Sequence, residues 1–248
     1  MFEDLFVAPR KAFARLPGMQ LIERPDWVQL VTPGFHDGGL NEVSFSALDA
    51  RDVGEVIDRT IAHYGQLRLK FRWLVVPGSK PEDLAERLEQ RGLRRGWNRA
   101  MFRRLTLDDA RLSSSAVEEV TPATVDDFTR AMAKGWSAEP GPMLGYNRAA
   151  IAEPGQRHRL FLVRRNGEPV AAAGYVALER SAHLMGAVVL PAFRGQGLYR
   201  LLVEQRLADA ARRGLPLATT HAREETSAPL LERFGFETFR RFCSFSSG

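Results

Sequence analysis

Two glycines and an arginine separate an apolar segment from a helical pattern in the second half of the sequence. The segment VVLPAFRGQGLYRLLVEQRL, residues 188–207, places Arg194, Gly195 and Gly197 just before the helix. The first N–H groups of a helix lack intrahelical partners, and the helix dipole is positive there, so such a position binds anions. Glycine permits positive φ and close approach of the backbone. The spacing therefore predicts a site for the phosphates of a nucleotide-like molecule.

Three kinds of phosphate site could use this loop. Gly195 and Gly197 begin the G-x-G-x-x-G pattern of dinucleotide-binding proteins, but Arg200 stands at the third glycine position. The hairpin pattern before the loop also indicates antiparallel strands rather than a β-α-β unit. A P-loop is excluded because no Gly-Lys-Ser/Thr follows. Coenzyme A is the third candidate.

The second half of the sequence predicts the elements that position the loop. Residues 158–178 read as a β-hairpin around Asn166-Gly167, a strong turn signal. A strand over 184–190 enters the loop, and apolar residues at helical spacing predict a helix over 198–213. A short strand near 217–220 follows. The segment SAPLLERFGFETFRRFCSF then predicts a helix, a glycine turn and a last strand, in which Cys243 is expected to be a core residue.

The first half repeats this order of elements and lacks the anion site. Strand, helix, strand, helix and strand are predicted in NEVSFSALD, ARDVGEVIDRTIAHYG, LRLKFRWLVVPG, KPEDLAERLEQRG and AMFRRLTL. Asp49, Asp52 and Glu55 stand at its strand-to-helix junction, where their charge would repel a phosphate. We therefore predict an amino-terminal domain over 1–110, a linker over 111–116, and an anion-binding domain over 117–248.

Composition places the chain among ordinary globular proteins. It has 248 residues, of which 44% are hydrophobic and 26% charged, and a single cysteine. No apolar run approaches the roughly 20 residues of a membrane span, and the first residues do not resemble a signal peptide. The net charge of +5 comes from arginines scattered in pairs, without a basic stripe interleaved with aromatic residues. We expect a cytoplasmic protein without a metal or a membrane partner, and nucleic-acid binding is not favoured.

The second half resembles the GNAT superfamily of N-acyltransferases. The family motif, Arg/Gln-x-x-Gly-x-Gly/Ala, corresponds to residues 194–199, and the Asn-Gly hairpin and LLERFGF fall where the family places them. The resemblance covers roughly 117–245; the first half is similar, in element order alone, to degenerate halves of bacterial tandem members. It implies an α/β fold of two GNAT-like mixed-sheet domains in tandem, with helices packed on the sheets. Tyr199 departs from the small residue that ends the motif.

The resemblance implies transfer of an acetyl or other acyl group from acyl-CoA to an amine by direct attack on the thioester. The backbone of 195–200 would hold the pyrophosphate, and the strand at 187–189 would pair with the pantetheine arm. A backbone N–H near Val189 would stabilise the oxyanion. The implied cofactor-binding residues are Ala187, Val188, Val189, Arg194, Gly195, Gln196, Gly197, Leu198, Tyr199 and Arg200.

The side chains that move protons in many family members are missing at the matching positions. Leu231 replaces a tyrosine acid and Thr219 a glutamate base, while Glu224 stands where an asparagine is common. The replacement candidates are His221, Glu224 and Tyr199. His221 could act as a base and Tyr199 as an acid toward the thiolate, although a structural role also fits His221 and Glu224. Two further histidines flank strands and are expected at the surface: His158 and His183.

The acceptor would be a small-molecule or protein amine. Residues 135–155 carry the aromatic, proline and glycine content of a loop over a site, in which Trp136, Met143 and Tyr146 could line the pocket; core packing fits each equally well. Two other functions stay open. One is a non-catalytic acyl-CoA binder or sensor, and the other is an acyltransferase whose donor is aminoacyl-tRNA or a carrier protein. No heptad pattern indicates an oligomer.

Overall fold

The protein, described here from a computed structural model, is built from strands and helices in mixed order. The structure describes residues 1–36, 39–112 and 114–248. The strands are β1 Gln20–Arg24, β2 Trp27–Val31, β3 Glu42–Ser46, β4 Arg72–Val75, β5 Arg94–Arg104, β6 Val117–Glu119, β7 His158–Arg165, β8 Glu168–Ala177, β9 Ser181–Val189, β10 Leu217–Arg223 and β11 Glu237–Ser246. The α-helices are α1 Ala8–Lys11, α2 Val53–Gln66, α3 Leu84–Gln90, α4 Val125–Trp136, α5 Pro140–Ala152, α6 Leu198–Arg212 and α7 Ser227–Glu232. This mixed α/β architecture confirms the predicted fold class.

Contacts divide the chain into two compact units. The first comprises Met1–Lys11, Pro17–Met101 and His221–Gly248, and the second Ala12–Leu16 and Phe102–Thr220. The units therefore differ from the predicted division into 1–110 and 117–248, because the last part of the chain packs with the first unit. Of the predicted linker, Ser113 lies outside the described residues.

The first unit contains strands in the order β1-β2-β3-β4-β11-β5. The strands β1, β2 and β3 pair antiparallel, whereas β3 and β4 are parallel and α2 joins them. The carboxy-terminal strand β11 is antiparallel to β4 and places Phe245 opposite Trp73. Both rings are fully buried in the core, which also contains Ile57 and Tyr64. Burial of these apolar surfaces explains why β11 packs here.

The second unit contains strands in the order β10-β9-β8-β7-β6. The predicted hairpin is confirmed: β7 and β8 pair antiparallel around Asn166 and Gly167, whose φ angles of 51° and 81° are those of a type I′ turn. The helix α6 joins β9 to β10, which is the predicted order of elements, and the structure pairs these two strands in parallel. The hairpin, the crossover and α6 are the elements that position the glycine loop.

Helices cover both faces of the strands in the second unit. Leu160, Leu162 and Ala172 belong to one buried cluster with residues of α4 and α5. Arg159 and Tyr175 instead bond to Asp209 of α6. Because side chains alternate across a strand, the even-numbered and odd-numbered residues of β7 point to opposite faces. Helix α6 therefore lies on the opposite face from α4 and α5.

Two predictions about this region are wrong. Residues 135–155 are not a loop, since α4 continues to Trp136 and α5 spans Pro140–Ala152, with proline tolerated in the first helical turn. His158 and His183 are not at the surface. They are 3% and 5% exposed, because they lie within the buried strands β7 and β9. None of the helices in the described residues is long and apolar enough to cross a membrane.

Candidate functional site

The loop between β9 and α6 has the backbone conformation that the glycine pattern predicts. Gly195 and Gly197 have φ angles of 76° and 75°, the left-handed region that side chains other than glycine rarely adopt. A Cβ atom on either residue would meet no atom within 4 Å, so conformation rather than crowding requires glycine here. The loop is exposed, and Leu198, which is 1% exposed, anchors the first turn of α6.

The start of α6 is suited to bind an anion. Gly197 is the N-cap residue, and the first turn contains no acidic side chain. By contrast, Asp52 is the N-cap of α2 and Glu55 stands in the first turn of that helix. Because the dipole and the N–H groups at a helix start favour negative charge, α6 offers an anion position that α2 does not.

Arg194 connects the loop to the strand before it. Its Nε donates a hydrogen bond to the carbonyl oxygen of Val189 at 3.3 Å, while the side chain stays exposed. Arg200, one turn into the helix, is held by Glu204 at 2.8 Å between Nε and Oε1. Thus the guanidinium of Arg194 adds positive charge at the loop, and that of Arg200 is partly neutralised.

Strand β9 contains a β-bulge that the sequence analysis missed. Met185 is opposite Gly174 and Ala187 is opposite Ala173, so Gly186 has no residue opposite it on β8. Its φ angle is 49°, and a Cβ there would lie 2.9 Å from Met132 Cε. A single glycine inside a strand pattern is the sequence signal that indicates such a bulge.

Beyond the bulge, the described pairing of β9 is with β8 and not with β10. Its parallel pairing with β10 ends where Leu184 faces Thr220. Residues 187–189 continue to pair with Ala173, Ala172 and Ala171 of β8. The second edge of this short stretch is thus placed to accept an extended chain as an added strand.

Tyr199 and Arg206 lie two turns apart on one side of α6. Tyr199 is partly buried, and this burial raises the pKa of its phenol, which the charge of Arg206 opposes. Arg206 is 3% exposed and donates to the carbonyl oxygens of Leu202 at 2.9 Å and Gly174 at 3.3 Å. Burial lowers the pKa of Arg206 to about 10, so the guanidinium remains charged at neutral pH.

His221 and Glu224 belong to the first unit, where each has a bonding role. The ring of His221 packs between Phe6 and Phe242, at centroid distances of 5.1 and 4.7 Å. Its Nδ1 lies 3.4 Å from Nη2 of Arg10 and must accept that hydrogen bond, since arginine only donates. The assignment of His221 as a general base stays a prediction.

Glu224 is a paired carboxylate. Its oxygens accept from Nε of Arg241 at 2.8 Å and from Nε of Arg99 at 3.4 Å. The hydrogen bond from Arg241, helped by the charges of both arginines, lowers the pKa of Glu224. A carboxylate of lowered pKa is a weak proton acceptor, so its assignment as base is less favoured by this environment and stays a prediction.

The three residues predicted to line an acceptor pocket differ in exposure. Trp136 is 49% exposed, and its ring would lie 3.0 Å from a Cβ atom on Gly186, so it covers the bulge. Met143 is buried in the core between α5 and the sheet. Tyr146 is 6% exposed, and its hydroxyl lies 3.3 Å from Nε2 of His158. Core packing thus accounts for Met143 and Tyr146, and Trp136 alone of the three presents a large surface.

His158 joins a buried polar chain behind this region. Its Nδ1 lies 3.0 Å from Oε2 of Glu153, which completes a carboxylate–imidazole–phenol series with Tyr146. Burial lowers the pKa of His158, and the adjacent Glu153 carboxylate opposes this effect. Within the described part of the chain, no three His, Cys, Asp or Glu side chains are grouped to hold a metal ion.

A hairpin, a bulged strand, a glycine loop and a crossover helix follow one another in the second unit. Residues 121–236 match the model of the acetyltransferase (GNAT) family. The matched region contains 116 of the 248 residues, a little under half of the chain. No curated protein sequence matches the chain.

Solved structures show that the GNAT fold extends over the whole chain. A protein of unknown function from Staphylococcus epidermidis has a TM-score of 0.70 at 13% identity, with 100% of this chain and 97% of that chain covered. A GCN5-related N-acetyltransferase from Kribbella flavida has a TM-score of 0.64 at 16% identity, with 97% and 95% covered. A tandem GNAT protein from the clavulanic acid biosynthesis pathway has a TM-score of 0.57 at 12% identity, with 99% and 93% covered. The tandem prediction is thereby confirmed at the level of fold.

Proposed function

We propose that the protein binds an acyl-CoA, acetyl-CoA in the first instance, and transfers its acyl group to an amine. The observation that carries this proposal is the pair of left-handed glycines, Gly195 and Gly197, before a helix whose first turn has no acid. Pyrophosphate is the part of coenzyme A that suits such a helix start. The N–H groups of 195–200 would contact it, and the exposed guanidinium of Arg194 would add attraction.

The strand edge beside the loop supports the same proposal. Residues 187–189 pair with β8 along one edge, while the described pairing with β10 does not reach their other edge. The pantetheine arm carries amides that could pair with the backbone groups of this other edge. An arm bound there would extend from the loop toward the bulge at Gly186. The thioester would then lie near the backbone N–H of Val189, which can donate to the oxygen that becomes negative during transfer.

The reaction needs two proton movements. The amine nitrogen forms a bond to the acyl carbon and loses a proton, while the carbon–sulfur bond breaks and the sulfur takes a proton. Tyr199 is our candidate donor to the sulfur, because its burial keeps the phenol protonated at neutral pH. Trp136, exposed at the bulge, is our candidate contact for the acceptor.

A non-catalytic binder is a second candidate. Leu231 and Thr219 occupy the positions of the usual acid and base and are 4% and 0% exposed, so both lie in packed surroundings. Such a protein would bind acetyl-CoA and leave the thioester intact. Release of free thiol across a panel of amines distinguishes an enzyme from a binder.

Calorimetric titration with acetyl-CoA tests the site. We expect micromolar binding to the wild type and binding at least about tenfold weaker to the double variant Arg194→Glu, Gly197→Asp. The variant places two negative charges at the anion position and puts a residue other than glycine in the left-handed conformation of Gly197. Arg212→Glu, on the exposed end of α6, is the control and should bind like the wild type. No binding by the folded wild type would overturn the proposal. Salt-dependent binding of aminoacyl-tRNA or an acylated carrier protein would then identify the donor instead.

A further inference from the structure

Arg206 is a buried cation to which the described residues supply no acidic partner. It lies in the middle of α6 at 3% exposure, and among the described residues no carboxylate forms an ion pair with its guanidinium. Arg159, by comparison, packs under the same helix and is paired with Asp209 at 3.0 Å. Burial of a charge is costly unless hydrogen bonds or an opposite charge compensate, so the contacts of Arg206 require an explanation.

The contacts of Arg206 converge on the β9 bulge. Its Nη1 donates to the carbonyl oxygen of Gly174, the residue opposite Met185 and directly before the irregularity at Gly186. A bulge disrupts the regular ladder and leaves backbone groups that need other partners. Arg206 supplies one such partner from the α6 face. From the opposite face, Met132 and Trp136 of α4 lie so close that a Cβ atom on Gly186 would be 2.9 and 3.0 Å from them.

The two hydrogen bonds also hold the guanidinium in a fixed direction. Nε donates to Leu202 one turn back along the helix, while Nη1 reaches across to Gly174. A planar guanidinium can donate in two directions at once, whereas a lysine ammonium on a flexible stem cannot reproduce that fork. The same helix side carries Tyr199, which faces the charge of Arg206.

We infer that Arg206 is a positioning residue that fixes the β9 bulge and thereby orients the backbone N–H groups of 187–189 toward the acyl end of a bound acyl-CoA. The inference rests on the proposed function, from which it takes acyl-CoA as the ligand. The position of the bulge decides which N–H points out of the strand edge. Loss of the Arg206–Gly174 hydrogen bond should therefore weaken binding of the acyl group more than binding of the phosphates, which would lie at the loop.

Amide hydrogen exchange of the free protein tests the structural half. We compare the wild type with Arg206→Met, Arg206→Lys and the surface control Arg212→Met on the same helix. In Arg206→Met, exchange at 185–189 should become at least about tenfold faster while β7 keeps its protection, and Arg206→Lys should restore part of the difference. Unchanged exchange at 185–189, or a uniform increase across β7 and β8, would show a merely structural residue and overturn the inference.

Calorimetry with acetyl-CoA and with free CoA tests the functional half. In Arg206→Met, affinity for CoA should stay within about twofold of wild type, and the ratio of acetyl-CoA to CoA affinity should fall at least about fivefold. An unchanged ratio overturns the inference even where both affinities fall. Absence of binding by the wild type to either molecule would overturn the proposed function instead, and the exchange experiment would still decide whether Arg206 holds the bulge.

Discussion

Gly135 of α4 lies so close to Val188 of β9 that a Cβ atom on Gly135 would be 2.7 Å from Val188 Cβ. Real carbon atoms do not approach that closely, so the helix must move away if a methyl group is added. We expect Gly135→Ala to lower the free energy of unfolding by about 1–3 kcal/mol, although alanine favours helices. Urea denaturation measures the difference.

Two further variants separate this clash from helix propensity. Val188→Ala should recover at least about 1 kcal/mol of the loss when combined with Gly135→Ala, because it removes the opposing methyl groups. Gly145→Ala in α5 is the control, since a Cβ atom there meets nothing within 4 Å. It should be neutral or more stable by up to about 1 kcal/mol. Equal destabilisation by both glycine substitutions would refute the close contact.

Replacement of Tyr199 tests the proposed proton donor. Burial raises the pKa of its phenol above the ordinary value, so this group stays protonated in neutral and mildly basic solution. Deprotonation of Tyr199 should therefore not lower the reaction rate in that pH range. Tyr199→Phe should lower kcat by about a hundredfold, the lower range for a general acid, with acetyl-CoA affinity nearly unchanged. Steady-state kinetics and calorimetry on the same preparation measure both. A kcat equal to wild type would remove Tyr199 from the mechanism.

Glu42 should govern the acid stability of the first unit. Burial alone would raise its pKa, but the charges and hydrogen bonds of Arg10 and Arg72 outweigh burial and lower it. A carboxyl with a lowered folded pKa contributes stability above its unfolded pKa, about 4.3, and loses it as pH falls through the folded value. Thermal unfolding from neutral to acidic solution should show this decline.

The variant Glu42→Gln should be less stable at neutral pH by about 3–5 kcal/mol, because Arg10 then lies buried without its carboxylate. Its stability should also depend less on acid than that of the wild type. Glu55→Gln is the matched control; Glu55 forms an exposed pair with Arg59, so its loss should cost less than about 0.5 kcal/mol. Similar effects of both substitutions would contradict the central role of Glu42.

His158 should produce a second pH dependence, in the second unit. Burial lowers its pKa in the folded protein, so the unfolded chain takes up the proton first and stability falls as pH drops below about 6.5. One pH unit lower, the loss is at most about 1.4 kcal/mol. His158→Gln should abolish this slope in thermal unfolding, whereas His36→Gln, at an exposed position, should retain it. A wild-type slope in His158→Gln would assign the effect to another group.

Much of the site could be predicted from sequence because its signals are local. Asn166 and Gly167 tolerate positive φ and so mark the hairpin turn, and the glycines of the loop do the same at the start of α6. Apolar residues at helical spacing identified α2 and α6. The sequence also contains the amphipathic pattern of α4, although no helix was predicted there. Val125, Phe128 and Met132 are buried on one side of that helix.

The amino-acid sequence by itself determined the element order, the glycine loop and its family resemblance, because backbone preferences depend on neighbouring residues. Tertiary structure alone decided that β11 pairs with β4, that Arg206 is buried against Gly174, and that Tyr146 bonds to His158. These contacts join residues far apart in the chain. Their free energy comes from surfaces and hydrogen bonds that form together on folding, and no local pattern of residue types specifies that pairing.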